Sequence, residues 1–357
     1  NPACGKNKKE ERFVQMKKFL SVVLAFLMLA VLLPTTALAD LAEGETCVAK
    51  IGETEYGTLD KAIQAAANAE TPTTISLENG VTVYLTSGTA HENNNSRNVK
   101  IVGNGTQTVD VIQNAVNAEG GMLSYQRGSK FAFENVTVKA GEGNFDGIVC
   151  SALTFNNCTI TGKLTLYGAA TFTGCTFNNT MANQYSIWTW GGTTVTFTNC
   201  TFNTNGKAIL LYGHSPASNP TNLIVNNCEF NDRQNGAAGK AAIEIGNDYD
   251  ATYKLTVTGA TVNGFAPGKN TGSKLWGNKN SMAVGETLTM ETAGITERPY
   301  TDPTTPGTIT IIVPSTEETP KTDDQKNPST GANDMVAAAA ALMAVAALGM
   351  SILSRKK

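Results

Sequence analysis

A six-residue pattern recurs through the middle of this chain and leaves few folds open to it. The pattern reads apolar, any residue, Asn or Gly, small, Thr or Glu, apolar. It occurs at 133–138, 155–160, 172–177, 197–202, 225–230 and 257–262. The small residues are Val136, Cys158, Cys175, Cys200, Cys228 and Ala260, so the copies advance by 22, 17, 25, 28 and 32 residues in turn. A repeat of this length with variable insertions indicates a solenoid in which each copy packs on the next.

The residue types decide which solenoid. Phe, Val, Ile and Thr favour strands. The third position is always Asn or Gly, the types that best tolerate the left-handed backbone of a sharp bend. The fourth is small, as expected at a corner pointing into a narrow core. Helical repeats would need longer runs of 3.6 periodicity, and none occurs between residues 70 and 315. The region from about 72 to 265 resembles the pectin-lyase-like superfamily. The expected fold class is therefore all-β, a right-handed parallel β-helix with a short N-terminal capping helix. The resemblance implies a hydrogen-bonded ladder of Asn135, Asn157, Asn199 and Asn227, interrupted at Gly174 and Gly259.

A solenoid end exposes apolar core and needs a cap. Residues 40–71 supply one: Leu59, Ala62, Ile63 and Ala66 share a helical face, with Thr58 as N-cap. The β-helix and a C-terminal cap are assigned to 72–298. Residues 299–326 form a Pro/Thr-rich linker, broken by a strand-like run from Thr308 to Val313.

Both chain ends carry targeting patterns. Lys17 and Lys18, the apolar stretch Phe19–Leu33 and the small residues Ala37 and Ala39 read as a signal peptide over 16–39, cleaved between Ala39 and Asp40. Residues 1–15 read as an upstream extension. At 327–357, Asn327-Pro328-Ser329-Thr330-Gly331 precedes an uncharged apolar run, Met335–Leu353, and then Arg355-Lys356-Lys357. Nineteen helical residues span about 28 Å, enough for a bilayer core. The order resembles the sorting signal of cell-wall-anchored proteins of Gram-positive bacteria, with Asn327 where leucine is usual. The resemblance implies that a sortase cleaves between Thr330 and Gly331 and links Thr330 to peptidoglycan. The expected localisation is secreted, in the cell wall and peptidoglycan-anchored, the membrane span being only transient. An ordinary retained membrane anchor is the alternative.

The net charge is −3, with charged residues at 16 %, so no basic field calls for nucleic acid. Six cysteines follow the signal peptide. Cys158, Cys175, Cys200 and Cys228 occupy one repeat position that Val136 and Ala260 also fill, which favours buried thiols acting as small hydrophobes. Disulfides between successive coils are the alternative reading. No Cys-x-x-Cys pair is present, and neither a metal nor a cofactor is expected.

Two groups are candidate sites. Glu244, Asp248 and Asp250 lie close in sequence and could serve acid–base hydrolysis or hold calcium; the preferred reading is that they are solvated loop charges. A second strand recurs in each coil before a Gly. Aligned on that Gly, Tyr167, Trp190, Tyr212 and Ile245 fall in one row, with Trp188 two residues before Trp190. Facing outward, Tyr167, Trp188, Trp190 and Tyr212 would form a carbohydrate-stacking platform. Facing inward they would be core. Thr189 and Glu244 on the alternate face favour the inward reading; Leu166 and Leu211 there favour the outward one.

The leading expectation for function is a non-catalytic, adhesin-like surface protein that binds an extracellular glycan or host protein. A wall-anchored polysaccharide lyase or glycoside hydrolase is one alternative, as the superfamily resemblance allows. A structural surface component is another. No catalytic residue is assigned.

Overall fold

The computed structural model describes residues 41, 44–67, 69–85, 96–111, 122–124, 128–141, 147–182, 184–190, 192–213, 220–246, 251–279 and 288–300. The signal peptide, the linker beyond Tyr300, and the sorting signal with its apolar run lie outside these residues.

The chain winds through three sheets, of eleven, nine and seven strands. One coil shows the logic. Ala169–Thr173 lies in the eleven-stranded sheet, Thr176–Asn178 in the nine-stranded sheet and Ile187–Thr189 in the seven-stranded sheet; Thr194–Thr198 then returns to the first. Strands of successive coils pair in parallel. Phe155 sits opposite Phe133 on one side and Phe172 on the other, and Phe172 opposite Phe197. This is the all-β parallel β-helix expected from the repeat.

Strand alternation separates inside from outside. In Ala169–Thr173, Ala170 and Phe172 are buried while their neighbours are exposed. In-register pairing stacks identical side chains. Phe133, Phe155, Phe172 and Phe197 form one column with centroids 4.9, 4.6 and 4.8 Å apart. Phe177, Phe202 and Phe230 form a second at 4.3 and 4.8 Å. The columns meet edge to face, Phe172 to Phe177 at 5.3 Å.

The repeat's third position makes the corner. Asn135, Asn157, Asn199 and Asn227 have φ of 53, 52, 54 and 51°, and Gly174 and Gly259 have 62 and 74°. The expected ladder among these four asparagines does not form: no hydrogen bond joins their side chains. Instead, the Asn157 amide oxygen covers Gly174, 2.5 Å from where a Cβ would stand, and Asn227 covers Gly259 at 2.3 Å. The amide ladder lies on the nine-stranded sheet. There Asn203 donates to Asn178 (3.0 Å), Asn231 to Asn203 (3.1 Å) and Asn263 to Asn231 (2.8 Å).

Cys158, Cys175, Cys200 and Cys228 are free thiols stacked at the corner, each at most 2 % exposed. All four donate to the carbonyl two residues earlier, as Cys200 does to Thr198 at 3.4 Å. Hydrogen bonding to neighbouring thiols, then burial, pushes Cys175 and Cys228 well above the ordinary thiol range. Burial pushes Cys150 up to about 12.

The N-terminal end is capped by an antiparallel hairpin, Ala49–Ile51 with Thr54–Tyr56, and by helix α1, Leu59–Ala65. Thr58 Oγ1 accepts from Lys61 N at 3.2 Å, as its N-cap role requires. Leu59, Ala62, Ile63 and Ala66 are all buried on the core. Arg97 donates to the carbonyls of Ile63 and Gln64, both at 3.2 Å, tying the helix end to the first full coil. At the other end, the described part of 266–298 adds Trp276–Asn278, Leu288–Ala293 and Thr296–Arg298, one strand to each sheet, so it continues the solenoid.

Candidate functional site

The seven-stranded sheet carries the aromatic residues, and its register settles which way they face. Leu164, Ile187, Ile209 and Ile243 form one core row, and Leu166, Leu211 and Ile245 belong to another. Thr189 falls in that second row, 0 % exposed; its hydroxyl accepts from Tyr212 N at 2.8 Å, a substitute for a backbone acceptor. Trp188 alternates with these rows and pairs with Thr165 and Leu210. Trp188, Trp190 and Tyr212 therefore lie on the outer side and are not part of the solenoid core. They are nevertheless buried, at 5, 5 and 0 % exposure, while Tyr167 is half-buried.

The glycine alignment slips in one coil. Ile245 pairs with Leu211, and Glu244 with Leu210. Glu244 thus shares the outer row of Trp188, and Ile245 belongs to the core. Gly246 stands in the row of Tyr212, because a Cβ there would meet the Tyr212 ring at 2.7 Å.

The rings form one cluster. Tyr212 lies 5.6 Å from both Trp188 and Trp190, edge-on to the first; the two tryptophans are 5.8 Å apart, and Tyr167 is 6.3 Å from Trp190. Lysines surround them. Lys163 Nζ is 4.4 Å from the Trp188 centroid, Lys279 Nζ 5.7 Å from Tyr212, and Lys207 Nζ 5.2 Å from Tyr185. These are cation–π distances. Glu244, 1 % exposed, pairs with Lys240 at 2.9 Å and accepts from the Tyr185 hydroxyl. Burial holds Lys207 below the ordinary lysine range, with the charges of Lys240 and Lys279 acting the same way and Glu244 opposing them.

Strand register brings together Tyr167, Trp188, Trp190, Tyr212 and Glu244. Asp248 and Asp250 lie outside the described residues, as does the sorting signal. Asp232 is engaged in its own turn, accepting from Gln234 N at 2.9 Å and Gly236 N at 2.7 Å. No group of three His, Cys, Asp or Glu able to hold a metal occurs among the described residues. The charged neighbours found around Glu244 are lysines, an arrangement that fixes a carboxylate as a counter-ion. No described helix is long and apolar enough to cross a membrane; the expected span falls outside the described residues.

The sequence reading missed Tyr185 and the four lysines. Lys163, Lys207 and Lys240 stand one, two and three residues before their strands, and Lys279 follows one directly. That irregular placement hides them until the strands are in register. No known protein family, curated protein or solved structure matches this chain.

Proposed function

We propose that the mature protein is a non-catalytic, adhesin-like surface protein anchored in the cell wall, and that it binds an extracellular glycan on the outer side of the seven-stranded sheet. The observation that carries this reading is the meeting of half-buried Tyr167 with three half-buried lysines, Lys207, Lys240 and Lys279, beside the buried aromatic cluster of this sheet. A sugar ring can stack on the Tyr167 face, and the lysine ammonium groups donate to hydroxyl oxygens and acidic groups. Tyr167, Lys207, Lys240 and Lys279 are only half-buried and form the accessible part. Glu244, clamped by Lys240 and Tyr185, serves here to hold the lysines in place.

Anchoring rests on the order of motif, apolar run and basic tail. In this proposal the sortase thiolate attacks the Thr330 carbonyl, the Gly331 amine leaves, and a peptidoglycan amine displaces the thiol, leaving an amide. Thr330 recovered on peptidoglycan fragments is the expected result. An intact C-terminus found in membranes would refute the anchor.

Binding is tested on a polysaccharide panel that reads both retention and product release. Retention without release, weakened by Lys207→Ala and Lys279→Ala, is expected. Release abolished by Lys207→Ala would favour a lyase, for which this half-buried lysine beside Tyr185 would be the base.

A further inference from the structure

The outer face of the eleven-stranded sheet is chemically unlike the ring cluster. Five of its consecutive strands are Ala152–Asn156, Ala169–Thr173, Thr194–Thr198, Thr221–Asn226 and Tyr253–Thr258. The outward residues of the last two positions in each strand form two parallel rows. Thr154, Thr171, Thr196 and Thr256 belong to one, interrupted by Ile224, and Thr173, Thr198 and Thr258 to the other, which begins at Asn156 and is interrupted by Asn226. Neither row contains a charged residue between strands Ala152–Asn156 and Tyr253–Thr258. The nearest charge on this face is Lys254, exposed on Tyr253–Thr258 one outward position before Thr256; Glu134 and Glu291 lie one strand beyond.

These threonines are available to a ligand. Thr171, Thr173 and Thr258 are exposed, and Thr196, Thr198 and Thr256 are half-buried. None of the six hydroxyls bonds to another described side chain. β-Branching restricts their χ1 angles, so each row presents its methyls and hydroxyls alike. Behind them the stacked rings of Phe172 and Phe197, both 0 % exposed, hold the strands in register.

The spacing of the array identifies what it fits. Parallel strands lie about 4.8 Å apart, and alternate residues along a strand about 6.6 Å apart. Water hydrogen-bonded at about 2.75 Å in a tetrahedral lattice has second-neighbour oxygens about 4.5 Å apart and an axial repeat of about 7.3 Å. The mismatch is about 0.3 Å per step across strands, roughly 1.2 Å over five strands, and about 0.7 Å between the two rows, to be taken up by bending of the hydroxyl–water hydrogen bonds. We propose that this face binds ice: the hydroxyls hold water at lattice positions, and the methyls exclude the disordered water between them. The ligand is crystalline water, and the site is independent of the glycan reading.

The test grows ice slowly around a cold finger in a solution of the purified protein and watches single crystals just below the melting point. Enrichment in the ice over serum albumin, together with faceted crystals, is expected. Thr171→Lys with Thr196→Lys should abolish both, with the far-UV CD spectrum unchanged; Thr196→Lys alone serves if the pair does not fold. Thr176→Lys, on the nine-stranded sheet, should retain both. Exclusion of the folded wild-type protein from ice would overturn the proposal. So would ice binding that survives the lysine variants, or that is lost equally in Thr176→Lys.

Discussion

Replacing Phe172 by Ala tests whether the aromatic columns hold the solenoid together. Phe172 is fully buried, stacks on Phe155 and Phe197, and meets Phe177 edge-on. A ring of this kind removes about 150–250 Å² from water. At about 25 cal/mol per Å² that is roughly 4–6 kcal/mol, of which alanine keeps a small part. Truncations of this type cost about 3–5 kcal/mol, and three ring neighbours place Phe172 toward the upper half, at about 4 kcal/mol. With a denaturant slope of about 3 kcal/mol per M, the urea midpoint should fall by about 1.3 M. Phe172→Leu, which retains most of the volume, should cost less than about 1.5 kcal/mol. Far-UV circular dichroism against urea reads both. A midpoint shift below about 0.4 M for Phe172→Ala would refute the claim that stacking across coils is the main support of the core.

Gly174→Ala should destabilise by about 1–2 kcal/mol, because alanine is strained at a φ of 62° and its Cβ would meet the Asn157 amide; a thermal melt checks it. Cys200→Val should be tolerated within about 1 kcal/mol, since Val136 fills the same position, whereas Cys200→Asp should fail to fold; expression and melting compare them. Cys150 carries a pH prediction. Its thiol is raised by burial from 9.0 to about 12, so the folded protein keeps a proton that the unfolded chain loses above about pH 9. That share of the stability is complete below pH 9 and disappears as pH rises through 12. In Cys150→Ala the loss of stability over this window, followed by urea titration, should be shallower. Glu244→Gln should lower the melting temperature by removing the charge that pairs with Lys240, and high salt should leave most of the gap to wild type in place, because Glu244 is buried.

The coil was legible because its corner has a strict backbone requirement. Only Asn and Gly appear at the third position of the repeat, and all six of those residues have positive φ. The Phe positions followed from alternation. The asparagine ladder was misplaced for a physical reason: a residue bent into the left-handed region turns its amide toward the next coil's corner, where Gly174 and Gly259 leave room for it. The ladder that forms sits on regular strands, at the last residue of Thr176–Asn178 and its neighbours, where parallel pairing puts equivalent side chains side by side. In the third sheet, glycine was an unreliable marker of register. Gly246 occupies a ring position, so counting back from it moved Glu244 and Ile245 to the wrong faces. The lysines were not legible at all, because they come from the insertions whose lengths vary from coil to coil.

Parallel stacking also decides how this protein would behave under tension. Apart from the chain that links them, neighbouring coils are held by lateral hydrogen bonds and core contacts, and no described strand runs the length of the solenoid. A pull applied at Tyr300 would load Thr296–Arg298 and Leu288–Ala293 first and unzip the molecule coil by coil. The ring cluster spans the strands from Leu164–Leu166 to Trp276–Asn278, toward that same end. Force passing between a ligand held there and a tether beyond Tyr300 would cross the coils from Leu164–Leu166 onward, five of the seven strands of that sheet. The N-terminal coils and their cap would bear no load, and shortening them should leave the rupture force unchanged.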